Sequence, residues 1–418
     1  MAPALVKPSL PWLVFCIALS LASAPPARSA AQSEPVLLHV DSPAVQFSPG
    51  NWAGDAGRGG KLFRRSWCNG AYCVWNWSTT NPAPTANLLA SNQTKGSSIS
   101  YFLDGHLVDN VPVPASGGIP LAGLAGPGKH VLKVYLRHSD QQDRWEGANA
   151  CKIEGLVLNN GDSPQVASRE NAPWALIIGD SITEGIGAHF DGSSSSLSDY
   201  AFLLGQGLAQ QDMEVGVSAC GYSGWIRPGD ATADVPPYYS IINSHNGSGG
   251  AYNGAKSRWN KIDARTGLLD ARGHLSAHGG TGQEPAMILV NYGTNETLSS
   301  SSVGDMQASM TQCLGALRTA APSAWICVLL PVGLENTVVY PHAAPYLSAL
   351  KSGVKAYRMG HRKDDHIFVV DLGPSAANAL ASPLYGGGVH PNAAGHAYVA
   401  SRLLPVLTAH LEKKRVEP

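Results

Sequence analysis

Ala175-Leu176-Ile177-Ile178, followed at once by Gly179-Asp180-Ser181-Ile182-Thr183, reads as a short buried strand that delivers a serine at its carboxyl end. In open α/β sheets the reactive groups gather at the carboxyl ends of the strands. Further apolar runs of strand length lie at 214–218, 286–291, 325–330 and 367–371, with helical segments between them. Met306, Met310, Cys313, Leu314 and Leu317 recur at three- and four-residue spacing, as a buried helix face does. The last helix is expected from Ala393 to about His410. Strands alternating with helices imply an α/β fold, with a mostly parallel sheet covered on both faces.

Upstream the pattern changes. Residues 32–165 read as all-β: short alternating runs such as Ser98–Leu103 and His130–Leu136 are bounded by Asp104-Gly105 and Gly126-Pro127-Gly128. Such runs at close spacing predict a β-sandwich of jelly-roll type. Trp52, Trp67, Trp75, Trp77 and Trp145 lie here; the core is the expected place for each, a sugar-stacking surface the alternative. Asn159 to Pro173 reads as a linker, so the α/β domain is assigned to 166–418. The Gly- and Ser-rich stretch from Ile226 to Gln283 is too long for a structureless loop and is expected to hold short helices and part of a binding surface. Tyr238, Tyr239 and Trp259 either line a cleft there or pack locally.

The 418 residues suffice for two domains, and a hydrophobic content of 44% supports a sizeable core. A net charge of −1 argues against a nucleic-acid partner, which demands a basic surface. Only 14% of residues are charged, while Gly (46) and Pro (29) are frequent, which favours strands and loops over a helical bundle. Lys7, the apolar stretch Trp12–Leu21 and the small residues that follow make residues 1–31 a signal peptide, cleaved near 29–31. The apolar stretch is too short to span a bilayer, so the expectation is an exported chain with no stable membrane anchor after cleavage. Cys16 leaves with the leader, and Cys68, Cys73, Cys151, Cys220, Cys313 and Cys327 remain, an even number that predicts disulfides in an oxidising compartment.

A serine hydroxyl is a poor nucleophile at neutral pH and needs a base within hydrogen-bond reach. It also needs donors aimed at the oxygen that becomes negative in the tetrahedral intermediate. Ser181 supplies its own N–H at what reads as the start of a helix. After the second strand comes Ser218-Ala219-Cys220-Gly221-Tyr222-Ser223-Gly224-Trp225, where glycine lets the backbone approach a substrate and offers the Gly224 N–H. After the third comes Gly293-Thr294-Asn295-Glu296, where Asn295 offers an amide. His390, before Pro391 and a helix start, stands on a loop that can be aimed at Ser181. Each is weak alone, since any of them caps a helix or fills a turn; the order of all four carries the inference.

These blocks resemble those of the SGNH/GDSL hydrolase superfamily over about residues 173–410: Gly179-Asp180-Ser181-Ile182-Thr183-Glu184-Gly185, Cys220-Gly221-Tyr222-Ser223-Gly224, Gly293-Thr294-Asn295-Glu296 and His390-Pro391-Asn392. The resemblance implies a flavodoxin-like three-layer domain, with Ser181 as nucleophile, Gly224 and Asn295 as oxyanion donors and His390 as base. A β-domain ahead of such a hydrolase is similar to the arrangement in carbohydrate esterase family two and related sugar deacetylases. The implied activity is hydrolysis of O-acetyl or other short acyl esters on a polysaccharide or oligosaccharide, without cofactor or metal. Family members usually carry Asp three residues before the histidine, where this chain has Gly387. Such an acid orients the base and stabilises the imidazolium. Three explanations stand open: a backbone carbonyl orients His390, Asp371 supplies the carboxylate, or the enzyme is slow or inactive. Asp180 is expected to hold the loop, and Glu184 to be a first-turn helix acid. The rivals to the sugar-esterase reading are a lipid esterase, although the lipase elbow GxSxG is absent around Ser181, and a glycan-binding protein with a degenerate site.

Overall fold

Alternating burial along the N-terminal strands shows which faces meet. The computed structural model describes residues 34–56, 60–92, 96–141, 149–167, 172–229, 259–263, 265–334, 340–361, 364–373 and 388–416. The expected signal peptide, Trp145, Tyr238, Tyr239 and Gly387 lie outside these residues. Strands β1 (Val36–His39), β2 (Val45–Phe47), β3 (Ala53–Ala56), β4 (Leu62–Ser66), β5 (Tyr72–Thr79), β6 (Ala86–Ser91), β7 (Ser98–Leu103), β8 (His106–Pro112), β9 (Ile119–Pro120), β10 (Gly128–His138), β11 (Cys151–Leu158) and β12 (Ser163–Pro164) build two six-stranded sheets. One runs β3-β4-β11-β6-β9 with β1 on β11, the other β12-β5-β10-β7-β8 with β2 on β5. All these pairings are antiparallel. Cys73, Trp75 and Trp77 of β5, Leu132 and Val134 of β10, Leu88 of β6 and Ile153 of β11 merge into one apolar core. Burying a large side chain of this kind stabilises by about 1.5–3 kcal/mol. Trp52, Trp67, Trp75 and Trp77 are all buried, so these four serve the core. The segment read as a linker belongs to this sheet pair through residue 167: β12 pairs with β5, Gln165 N–H donates to Asn76 O and Ala167 N–H to Pro43 O.

The second half contains β13 (Trp174–Gly179), α1 (Tyr200–Ala209), β14 (Glu214–Ala219), β15 (Met287–Asn291), α2 (Thr294–Leu298), α3 (Val303–Ala320), β16 (Trp325–Leu329), α4 (Ala343–Gly360), β17 (Ile367–Val370) and α5 (Ala393–Val416). The strands form one parallel sheet in the order β14-β13-β15-β16-β17. Their fully apolar runs follow from burial on both faces. Leu176, Ile178, Ile288 and Val290 meet Met306, Met310 and Leu314 of α3 and Leu350 of α4. Ala175, Ile177 and Leu289 point the other way, against Leu204 of α1 and Leu403 of α5.

Residues Pro35–Pro418 cluster as one compact unit. Asn51, from the turn before β3, lies along the edge strand β14, where its Nδ2 donates to Val217 O at 2.6 Å and its Oδ1 accepts Val217 N–H at 3.3 Å. An exposed strand edge invites pairing with another chain, and Asn51 occupies the Val217 groups of this one. Arg65 of β4 meets Asp263 at 2.7 Å with both side chains buried. Arg137 Nη1 donates to Ser194 O at 2.7 Å.

Two expectations fail here. No helix starts at Ser181: residues 181–187 form turns and α1 begins only at Tyr200, capped by Asp199, whose Oδ1 accepts Phe202 N–H at 2.7 Å. Gly185 and Gly187 take φ of +73° and +68°, which ends any right-handed winding. Glu184 is therefore not a first-turn helix acid. The expected disulfides are absent as well: none of the six cysteines is disulfide-bonded. Cys313 belongs to the core on one side of the parallel sheet and Cys327 to the core on the other, so the sheet stands between them. Burial pushes the Cys73 and Cys151 thiols up to about 12, as for small apolar core residues.

Candidate active site

Ser181 follows β13 in a tight turn. An added Cβ at Gly179 would collide with the Thr183 side chain, so only glycine fits. The turn is closed by Glu184 N–H to Asp180 O and Ile186 N–H to Ser181 O, both at 3.1 Å. Asp180 Oδ1 accepts Ile182 N–H at 3.0 Å, the loop-holding role expected of it. His390 arrives from the loop before α5, and its Nε2 lies 2.8 Å from Ser181 Oγ. Two groups 209 positions apart thus stand at the distance that proton transfer needs.

Asn295, in the first turn of α2, donates from Nδ2 to Ser223 O at 2.9 Å and approaches Asp180 Oδ2 at 3.5 Å. It ties the third sequence block to the second and to the residue beside Ser181. Gly293 makes this possible with φ +127°, in a spot where a Cβ would press on Pro331 and Leu350. The second block is clamped from several sides: Ser223 Oγ donates to Gly179 O at 3.1 Å, Trp225 Nε1 to Tyr292 O at 3.2 Å, and Glu296 Oε1 accepts Ile226 N–H at 3.0 Å. Gly224 departs from its expected role. Its N–H donates to Arg227 O at 3.2 Å, because the loop closes on itself through the Ser223–Pro228 bridge. As an oxyanion donor it has to give up that long bond first.

Asp371 is not brought to His390. Its carboxylate pairs with Lys351 Nζ at 2.5 Å and accepts Gly373 N–H at 2.9 Å, beyond the end of β17. The residues that motif reading missed come from elsewhere. Gln141 Nε2 donates to Glu184 Oε2 at 2.8 Å, and Asn69 Nδ2 donates to Glu184 O at 3.3 Å. Both belong to the antiparallel half, and nothing in their local sequence marks them. His396 of α5 is wholly buried and its Nδ1 accepts Tyr200 N–H at 3.2 Å. Trp259, left between cleft and core, is buried in the core.

Burial governs the electrostatics. The Asp180 carboxyl is pushed up to about 7 by desolvation, with Glu296 and Glu184 adding to the rise. Glu296 is raised for the same reason, although backbone N–H groups of the Ile226 loop oppose the shift. His390 is lowered by burial, and the Glu184 carboxylate opposes that shift. His396 falls to about 3, by burial and then by His390. At neutral pH both imidazoles are thus neutral, and an unprotonated Nε2 of His390 can take the Ser181 proton.

The model of the GDSL-like lipase/acylhydrolase family matches residues 176–403. No curated protein matches in sequence. Among solved structures, a family two carbohydrate esterase from Cellvibrio japonicus superposes with a TM-score of 0.61 at 16% identity, covering 91% of this chain and 98% of its own. One from Clostridium thermocellum, in complex with cellohexaose, gives 0.61 at 15%, covering 88% and 99%. An acetyl xylan esterase from the rumen bacterium Butyrivibrio proteoclasticus gives 0.61 at 13%, covering 91% and 100%. At these identities the likeness concerns the fold, which has the architecture of family two carbohydrate esterases. With the serine–histidine pair and the matched family model, the chain belongs to the GDSL-like lipase/acylhydrolase family, as an esterase of GDSL type.

Proposed function

We propose that the protein is a secreted serine esterase that removes O-acetyl or other short acyl groups from a polysaccharide or oligosaccharide. The observation that carries this reading is the 2.8 Å contact of His390 Nε2 with Ser181 Oγ, beside the amide of Asn295. Ser181 Oγ attacks the ester carbonyl as its proton passes to His390 Nε2. The carbonyl oxygen becomes negative and is held by Ser181 N–H, joined by Asn295 Nδ2 and Gly224 N–H once they leave Asp180 Oδ2 and Arg227 O. The C–O bond to the sugar then breaks, and His390 returns the proton to the departing alkoxide. Water enters by the same route in reverse, its proton going to His390 while its oxygen bonds the acyl carbon, and the carboxylic acid leaves as Ser181 regains its proton. No step calls on a metal or cofactor.

The solved relatives named above include an acetyl xylan esterase and an esterase holding cellohexaose, which supports a carbohydrate ester as substrate. In this reading residues 1–31 direct export, 32–165 form the jelly-roll-like domain, and 166–418 the flavodoxin-like hydrolase domain. The family description also names lipases, so acyl-chain preference is part of the test. The wild-type protein is expected to release acetate from acetylated glycans and p-nitrophenol from the acetyl probe faster than from long-chain probes. Ser181→Ala should abolish both. Unchanged turnover in that variant would refute the assignment.

A further inference from the structure

The antiparallel half of the molecule reaches the turn after Ser181 through a buried cation. We propose that Arg137, on β10, is a positioning residue for the Ser181–His390 pair. Its guanidinium fixes residues 193–195, and the turn that carries Ser181 is built against them. The inference rests on the esterase reading above and adds to it a residue from the other half of the fold.

Arg137 is 3% exposed, and its donors serve three acceptors. Nη1 donates to Ser194 O at 2.7 Å, Nη2 to Ser193 Oγ at 3.3 Å, and Nε to Asp109 Oδ1 of β8 at 3.1 Å. Asp109 Oδ1 also accepts from Ser100 Oγ of β7, so the carboxylate that aims the guanidinium is itself tied to the sheet. The backbone runs the same way. Ser196 N–H donates to Arg137 O at 2.9 Å, and Ser196 Oγ to Leu136 O at 3.0 Å. Residues 193–196 therefore lie along the end of β10, with a planar fork of donors across them. A lysine offers one ammonium on a flexible stem and has no such fork.

Short contacts lead from this segment to the reacting groups. Ser195 N–H donates to Gly185 O at 2.9 Å, and Gly187 N–H to Ser194 Oγ at 3.4 Å. Gly185 packs so closely that an added Cβ would stand 2.5 Å from Ser195 O. In the same turn Ile186 N–H donates to Ser181 O at 3.1 Å, and a Cβ built on Gly187 would lie 3.8 Å from His390 Cβ. The turn thus touches the backbone of the nucleophile at 186 and the base at 187. Residues 181–187 form turns rather than a helix, so their shape depends on what they pack against. A shift of residues 193–195 is passed to both partners of the 2.8 Å contact between His390 Nε2 and Ser181 Oγ. A misplacement of about 1 Å can cost about a hundredfold in rate. Arg65, also buried in the antiparallel half, pairs with Asp263 and supplies the comparison.

The experiment compares the wild type with Arg137→Met, Arg137→Lys and Arg65→Met. It reads kcat and KM on an acetyl ester, the rate at which a fluorophosphonate labels Ser181, and the urea midpoint. Labelling reports how well the base activates the serine, with no sugar involved. Folded Arg137→Met is expected to lose at least about tenfold in kcat, with KM changed by less than about twofold and labelling slowed by a similar factor to kcat. Arg137→Lys keeps the charge but meets only part of the three acceptors, so it should recover some of the loss and stay about threefold below wild type. Arg65→Met should lower the urea midpoint and keep the wild-type kcat and labelling rate, which separates positioning from stability. A folded Arg137→Met protein with wild-type kcat and labelling overturns the proposal, as does one that loses kcat while Ser181 is labelled at the wild-type rate. An equal loss of kcat in Arg65→Met overturns it too. If Arg137→Met does not fold, Arg137→Lys decides: wild-type turnover and labelling there overturn the proposal. A wild-type protein that neither hydrolyses any acyl probe nor becomes labelled would defeat the esterase reading instead, so the two failures are distinct.

Discussion

Replacing Asp180 by Asn should flatten the pH dependence of stability by a calculable amount. Its carboxyl is wholly buried and titrates near 7 in the folded chain, against 3.8 for the free group. A raised folded-state value means that the native state holds the proton more tightly than the unfolded chain. The contribution is therefore fully present below about pH 3.8 and lost as pH rises through about 7. A shift of about three units corresponds to about 4 kcal/mol in all, of which about 2.5 kcal/mol is lost between pH 5 and pH 8. Asp199 and Glu296 are raised too and add losses of the same sign, so the wild-type slope alone identifies no single group. The difference between wild type and Asp180→Asn isolates Asp180. The asparagine keeps an oxygen for Ile182 N–H but turns an NH₂ toward Asn295, 3.5 Å away. That costs about 1 kcal/mol at every pH and cancels in the comparison. Urea unfolding midpoints measured from pH 5 to 8 provide the assay. The variant should lose about 2.5 kcal/mol less than wild type across this window. Parallel stability curves would refute the claim that a buried, protonated carboxyl supports the turn bearing Ser181.

Two further substitutions probe how the site is held. Gly224→Ala would drive a methyl group into the buried Glu296 carboxylate and displace the Ile226 loop; kcat should fall by at least about tenfold while circular dichroism stays native. Arg65→Met would strand Asp263 without its cation in a buried seam, although the Asp263 Oδ1 keeps the Arg265 and Thr266 N–H groups; denaturant titration should show a loss of about 3 kcal/mol.

The parallel sheet was legible in the chain because burial on both faces leaves an unbroken apolar signature. The strand expected at 214–218 forms at Glu214–Ala219, the one at 325–330 at Trp325–Leu329, and the helix face from Met306 to Leu317 is buried as spaced. The meeting of Ser181 and His390 was legible too, since strand ends and loops of one parallel sheet converge on one side. The turn after Ser181 was misread as a helix because nothing in Ile182-Thr183-Glu184 forbids winding. The glycines at 185 and 187 stop it only in combination with the Ser195 backbone packed against the first of them.

By itself the sequence determined the elements, their order and the serine and histidine that meet, because strand periodicity and motif spacing are local properties. Only the tertiary structure decided where the carboxylates lie. Asp371, at a strand end, pairs with Lys351, whereas Glu184 is buried after Ser181 with its carboxylate on an amide from the other half of the molecule. Contacts between residues 43 positions apart, as Gln141 and Glu184 are, leave no spacing pattern in the chain. They arise from how the antiparallel strands and the parallel sheet pack through one shared apolar core, and that packing sets which polar groups share the same buried space.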